Sequence, residues 1–122
     1  MARRKNKQTR KYEPRDEFRM NRSPIVKGHP HYIFGYKNGK YKSLGITHSP
    51  RDEQHPIELS ANPNPNDSAK AYLQLKKVHT AKTEYYGDVL DDWAFAPVDK
   101  SIVRHRKKQY KKSYNRSHKK RR

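Results

Sequence analysis

The sequence predicts an α+β fold: a small, mostly antiparallel sheet with one or two helices, flanked by basic arms. Three observations point there. An Asn-Gly pair lies between two aromatic, β-rich runs. The large apolar residues gather in the middle of the chain, and the positive charge gathers at its ends.

Tyr32–Tyr36 and Tyr41–Ile46 flank Asn38-Gly39. Such a pair is the strongest short hairpin signal, because a type I′ turn needs positive φ at both central residues. An unbroken two-residue hairpin pairs Tyr36 with Tyr41, Phe34 with Ser43 and Tyr32 with Gly45. On the other side it pairs Ile33 with Leu44, His31 with Ile46 and His29 with His48. The strip Tyr32, Phe34, Tyr36, Tyr41 is then expected as core. A third strand is expected at Ile57–Leu59. The Asn-Pro repeats of residues 62–67 read as a turn-rich loop. A fourth strand is expected at Ala71–His79, a short helix from Thr83 to Leu90, and a further helix entering at Pro97, a residue suited to a first turn. Residues 15–22 are too short and charged to predict a helix before the sheet.

Length and charge set the domain organisation. A chain of 122 residues holds one domain at most. Hydrophobic residues are 30% of it, below the roughly 45–50% of ordinary globular chains, so a fold spanning every residue is short of core. The net charge of +18 is unevenly spread. Residues 1–23 carry nine Lys/Arg and three acids, and residues 104–122 carry eleven Lys/Arg and no acid. The middle is nearly neutral. The expected organisation is a disordered basic arm at 1–23, an α+β domain at 24–103 and a partly helical basic arm at 104–122. Removing the last of these is expected to weaken binding far more than folding.

The function classes narrow accordingly. There is no cysteine, which removes disulfides, thiolate metal sites and a Cys nucleophile. No apolar run reaches the ~18–20 residues of a membrane span, and no apolar stretch follows the basic start, so a cytoplasmic protein is expected. Neither a Walker loop, a Gly-rich dinucleotide fingerprint nor Gly-x-Ser-x-Gly is present. Two basic blocks around a neutral middle predict nucleic-acid binding, RNA or DNA, through the phosphate backbone and without a cofactor. The candidate contacts are Arg3, Arg4 and Lys5 in the first arm. In the second they are Arg104, Arg106, Lys107, Lys108, Tyr110, Lys111 and Lys112, where tyrosine adds stacking surface.

The histidines suggest a different chemistry. The unbroken hairpin would put His29, His31 and His48 on one face, with Arg51 close behind. One His taking a 2′-hydroxyl proton, another protonating the leaving oxygen and Arg51 or Lys42 holding the phosphorane would make a metal-independent ribonuclease. Ordinary hydrogen-bonded histidines and a Zn²⁺ site remain open on the same residues, although no His-Glu-x-x-His spacing occurs and no metal is expected.

Three stretches carry a resemblance: Gly28-His29-Pro30-His31-Tyr32, Leu44-Gly45-Ile46-Thr47-His48-Ser49 and Asn62-Pro63-Asn64-Pro65-Asn66-Asp67-Ser68. Across residues 27–98 the chain resembles a type of small basic protein found on bacterial mobile elements, which implies a setting but no particular activity. In strand order and residue types it also resembles the barnase–EndoU–colicin–RelE ribonucleases. That resemblance implies a helix packed on an antiparallel sheet and RNA cleavage without metal, as in a toxin or phage effector. A third expectation is an interaction protein that blocks a nucleic-acid machine.

Overall fold

The computed structural model describes residues 12–24, 28–48 and 56–119, with the side chains of 76 and 113–119 outside the description. Five strands form one sheet: β1 (Glu13–Asn21), β2 (His29–Lys37), β3 (Lys40–Thr47), β4 (Pro56–Glu58) and β5 (Tyr72–Lys82). Their order is β1-β2-β3-β5-β4, and every pairing is antiparallel. A short 3-10 turn at Thr83–Tyr85 follows, and the helix α1 spans Pro97–Lys119. This is the small α+β fold the sequence predicts.

The turn forms as its chemistry requires. Asn38 has φ 54° and Gly39 φ 74°, and Lys37 pairs with Lys40, Tyr36 with Tyr41 and Gly35 with Lys42. Beyond that point the expected register fails. A bulge between Ile33 and Gly35 shifts the ladder, so that Ile33 pairs with Ser43, Tyr32 with Leu44 and His31 with Gly45. One extra residue on one strand reverses which face later side chains occupy. Tyr32 and Phe34 therefore join Leu44 and Ile46 beneath the helix, while Tyr36 and Tyr41 fall on the opposite face with Ile33. The expected four-residue aromatic strip is split between two cores.

A second shift, between β3 and β5, falls between Leu44 and Ile46. Gly45 lies inside it. A Cβ there would come 2.7 Å from the Gln74 side-chain oxygen, the movable end of that side chain, and 3.4 Å from His31 Nε2, so a larger residue would have to displace Gln74.

Residues 13–21 form a strand rather than part of a disordered arm. Only Phe18 among them is a buried hydrophobic residue. The strand is held on both edges instead. It pairs with β2 along one side. Along the other it meets the segment after β5, through Arg22 N–H to Tyr85 O (2.8 Å), Gly87 N–H to Met20 O (2.9 Å) and Leu90 N–H to Phe18 O (2.8 Å). The expected helix at 83–90 is thus one 3-10 turn followed by chain that hydrogen-bonds along β1.

The helix begins at Pro97 as expected. Asp99, buried in its first turn, accepts bonds from the Ser60 N–H and hydroxyl at 2.9–3.1 Å. Val103 is buried in the main core, and Tyr110 packs on Phe34 with ring centroids 5.1 Å apart. The boundary expected at 103/104 therefore falls within a continuous helix that is packed on the sheet through Val103, Arg106, Lys107 and Tyr110. No helix among the described residues is long and apolar enough to cross a membrane.

Candidate nucleic-acid interface

Between α1, β1 and the chain at 89–95 lies an open cleft of about 660 Å³. Its wall on the helix side is built from Lys100, Val103, Arg104, Lys107, Lys108 and Lys111. Those positions recur at helical spacing, so one face of α1 carries them all. Val103 turns that face onto the core, and the cations around it line the opening. The floor is aromatic: Phe18, Tyr32, Trp93 and Phe95, with Tyr12 at the side. Phe18 is packed 5.3 Å from Tyr32, 5.9 Å from Trp93 and 4.9 Å from Phe95, centroid to centroid.

The five cations differ in what holds them. Lys107 is anchored: its Nζ donates to Arg15 O at 3.1 Å and to the Tyr32 hydroxyl at 3.3 Å. The Tyr32 hydroxyl in turn donates to Asp16 at 2.6 Å. Burial, then the Asp16 bond, push the Tyr32 phenol above its usual range and keep it protonated. This chain of bonds ties the helix to β1. Lys100, Arg104, Lys108 and Lys111 make no hydrogen bond or ion pair among the described residues.

Three carboxylates also line the cleft: Asp16, Glu17 and Asp91. Asp16 is engaged by Tyr32, and Glu17 by Arg19 at 2.6 Å. That leaves Asp91 against four unengaged cations. Along the helix, 100/104, 104/108, 107/111 and 108/112 are all like-charge pairs four residues apart. Each such pair weakens a helix by about 0.2–0.5 kcal/mol. The helix carries this repulsion because its other side is fastened to the sheet.

The expected contact residues separate accordingly. Arg104, Lys107, Lys108 and Lys111 line the cleft. Arg106 does not; its Nε donates to Leu75 O at 2.7 Å. Tyr110 faces Phe34 and Tyr12. Lys112 is exposed and is not among the cleft residues. Arg3, Arg4 and Lys5 lie outside the described residues. Sequence reasoning missed Lys100 and Trp93. Lys100 was legible from its spacing of four to Arg104; Trp93 reads from sequence as core, with Phe95, and nothing local reveals that it also lines a cleft shared with the helix.

The expected trio of His29, His31 and His48 is not brought together. His31 is 1% exposed. Its Nδ1 meets Ser43 Oγ at 2.8 Å, and Ser43 Oγ meets the Tyr86 hydroxyl at 2.9 Å. Asn21 Nδ2 donates to that same hydroxyl at 3.3 Å. The neighbour of His31 is His79, 4.7 Å away between ring centroids. Burial, then the fields of His79 and His29, push the His31 pKa down to about 3. His79 is lowered too, by burial and then by Lys77. His48 lies beyond the end of β3, exposed, with Nδ1 2.9 Å from Lys70 O and Nε2 3.4 Å from Asp67. The expected pairing of His29 with His48 is replaced by His29 with Asn21 on β1. Arg51 lies outside the described residues. No group of three or more His, Cys, Asp or Glu able to hold a metal occurs among the described residues.

Fold and site together define a small α+β protein with a cationic helix closing one side of an aromatic-floored cleft. No family model, curated protein or solved structure matches the chain.

Proposed function

We propose that this protein binds nucleic acid, using the exposed side of α1 to contact the phosphate backbone. One observation carries the reading: Lys100, Arg104, Lys108 and Lys111 line a single cleft with no partner among the described residues. Cations held this close repel one another, and a row of phosphates relieves the repulsion while releasing condensed counterions. The basic residues Arg3, Arg4 and Lys5 add charge of the same sign. Nothing in the cationic row reads a base sequence, so affinity with little sequence preference is expected.

The ribonuclease reading requires two histidines flanking one phosphate. His31 lies beneath the surface with its pKa lowered to about 3, and His48 is engaged elsewhere. Binding without cleavage is therefore the reading taken, and RNA incubated with the protein in EDTA should remain intact.

The direct test is affinity against salt, read by fluorescence anisotropy of a labelled oligonucleotide. Log affinity should fall linearly with log salt, by roughly 0.7–0.9 for each phosphate engaged. Reversing Arg104 and Lys108 to Glu together should flatten the slope. A salt-independent affinity, or no binding at low salt, would overturn the proposal.

A further inference from the structure

The cationic row accounts for one wall of the cleft and leaves its floor unused. A polyanion held only by its phosphates needs a charged ridge, not a cavity of about 660 Å³ floored with aromatic rings. That volume falls within the roughly 300–1,000 Å³ of pockets that enclose small ligands. Trp93 is half-buried, rests on Phe18 and lines the opening. Its indole N–H has no hydrogen-bond partner among the described residues. Asp91, also unengaged, lines the same opening and offers an acceptor to an amino or imino group.

We infer that the cleft takes an unpaired base of a single-stranded nucleic acid, stacked against Trp93, while the strand's phosphates follow Lys100, Arg104, Lys108 and Lys111. This rests on the nucleic-acid reading above and adds the state of the strand. In a duplex each base is paired and stacked within the helix, so no ring face is free to enter the cleft. A duplex can meet the cations only from outside and leaves the aromatic floor empty. A single strand satisfies both halves of the site, because every base has a face to stack and the backbone bends to follow it. The row from Lys100 to Lys111 runs about 16 Å along the helix at ~1.5 Å per residue. That is longer than one nucleotide, so a strand rather than a free mononucleotide fits it.

Trp93 is the sole tryptophan of the chain, so its emission reports on the site without a label. The full-length protein is titrated at one salt concentration with an oligouridylate, an oligothymidylate, a duplex of equal length, an abasic strand of equal length and uridine monophosphate. At least one of the two single strands should quench the tryptophan and bind about tenfold or more tighter than the duplex, in keeping with the usual worth of one base–aromatic stack. The abasic strand keeps the phosphates and loses the bases; it should bind like the duplex and leave the emission unmoved. The mononucleotide should compete only at far higher concentration. Followed by anisotropy of labelled strands, since neither variant keeps a tryptophan, Trp93→Phe should retain most of the preference, and Trp93→Leu should lose it while still binding duplex. Equal binding of single strand, duplex and abasic strand, or unquenched emission on saturation, overturns the inference and leaves backbone binding standing. Equally tight binding of the mononucleotide overturns the assignment to a strand. If no nucleic acid binds at all, the underlying reading fails with it.

Discussion

The two faces of the sheet use the same residue types for opposite ends. On the side away from the helix, two arginines are engaged internally. Arg15 pairs with Glu13 and lies 5.1 Å over the Tyr36 ring; Arg19 pairs with Glu17, lies 5.2 Å over the Tyr41 ring and donates to Gly87 O. Polar groups there close on one another, from Asn21 through Tyr86 and Ser43 to His31. On the helix side, four cations and a tryptophan line an opening and have no hydrogen-bond or ion-pair partner among the described residues. A chain of net charge +18 thus contains two populations of positive charge. One replaces the apolar packing that a composition this polar lacks, and the other remains available to a ligand.

Four measurements break or sharpen that comparison. The largest effect belongs to the closed face and depends on pH. His31 stays neutral in the native state, with its pKa lowered to about 3, whereas in the unfolded chain it titrates near 6.5. Between those values the unfolded state takes up a proton that the native state refuses. Stability is therefore undiminished above about pH 6.5 and falls as the pH drops toward 3, by up to ~1.4 kcal/mol per pH unit for one such group. His79 is shifted in the same direction. Denaturant melts at pH 7, 5.5 and 4 should show the loss, and His31→Asn, which can still reach Ser43, should flatten it. An equally steep loss in that variant would place the acid sensitivity elsewhere.

The second effect belongs to the open face. Arg104→Glu with Lys108→Glu should lower affinity for nucleic acid about a hundredfold at low salt, equivalent to roughly 2.7 kcal/mol, while leaving the thermal midpoint unchanged or higher, because two like-charge helix pairs become favourable. A large fall in midpoint would mean that these cations serve the fold.

Third, Gly39→Val should destabilise the protein by about 1–3 kcal/mol in denaturant melts, since a β-branched residue resists the φ of 74° observed there. Affinity measured on the folded fraction should not change. Fourth, Arg19→Ala removes an ion pair, a ring contact and the bond to Gly87. A loss of ~1 kcal/mol in stability with unchanged nucleic-acid affinity is expected. Weaker binding in that variant would dissolve the distinction between the two faces.

Truncation sharpens the same point. The residues from 104 onward read as a detachable arm because charge dominates their composition. Val103, Arg106, Lys107 and Tyr110 instead fasten this helix to the sheet. Deleting residues 104–122 should now cost stability along with binding.

The sequence by itself determined the features whose physics is local. Asn38-Gly39 sets a two-residue turn because both residues tolerate positive φ. Pro97 opens a helix because its fixed φ and missing N–H suit a first turn. Residues 57–59 and 71–79 read as strands from their β-rich runs, and the chain forms them at Pro56–Glu58 and Tyr72–Lys82. The excess of cations over acids likewise needs no fold to be seen. The two strand glycines were also legible as warnings: Gly35 and Gly45 each sit at a register shift, and glycine within a strand marks bulges and close approaches. Only the tertiary structure decided what those shifts did. A single extra residue at Phe34 changed which side chains share a face, moved Tyr36 and Tyr41 to the second core, and set His31 beside His79 and Ser43 rather than among its expected partners. Nor did local pattern disclose β1, whose pairing on both edges substitutes for burial of its own side chains. The cleft is likewise a tertiary product. Trp93 rests on Phe18 of β1 and shares a cleft with the helix cations only because the chain after β5 runs back along β1 before the helix begins, and side chains distant in sequence converge through packing that no short window contains.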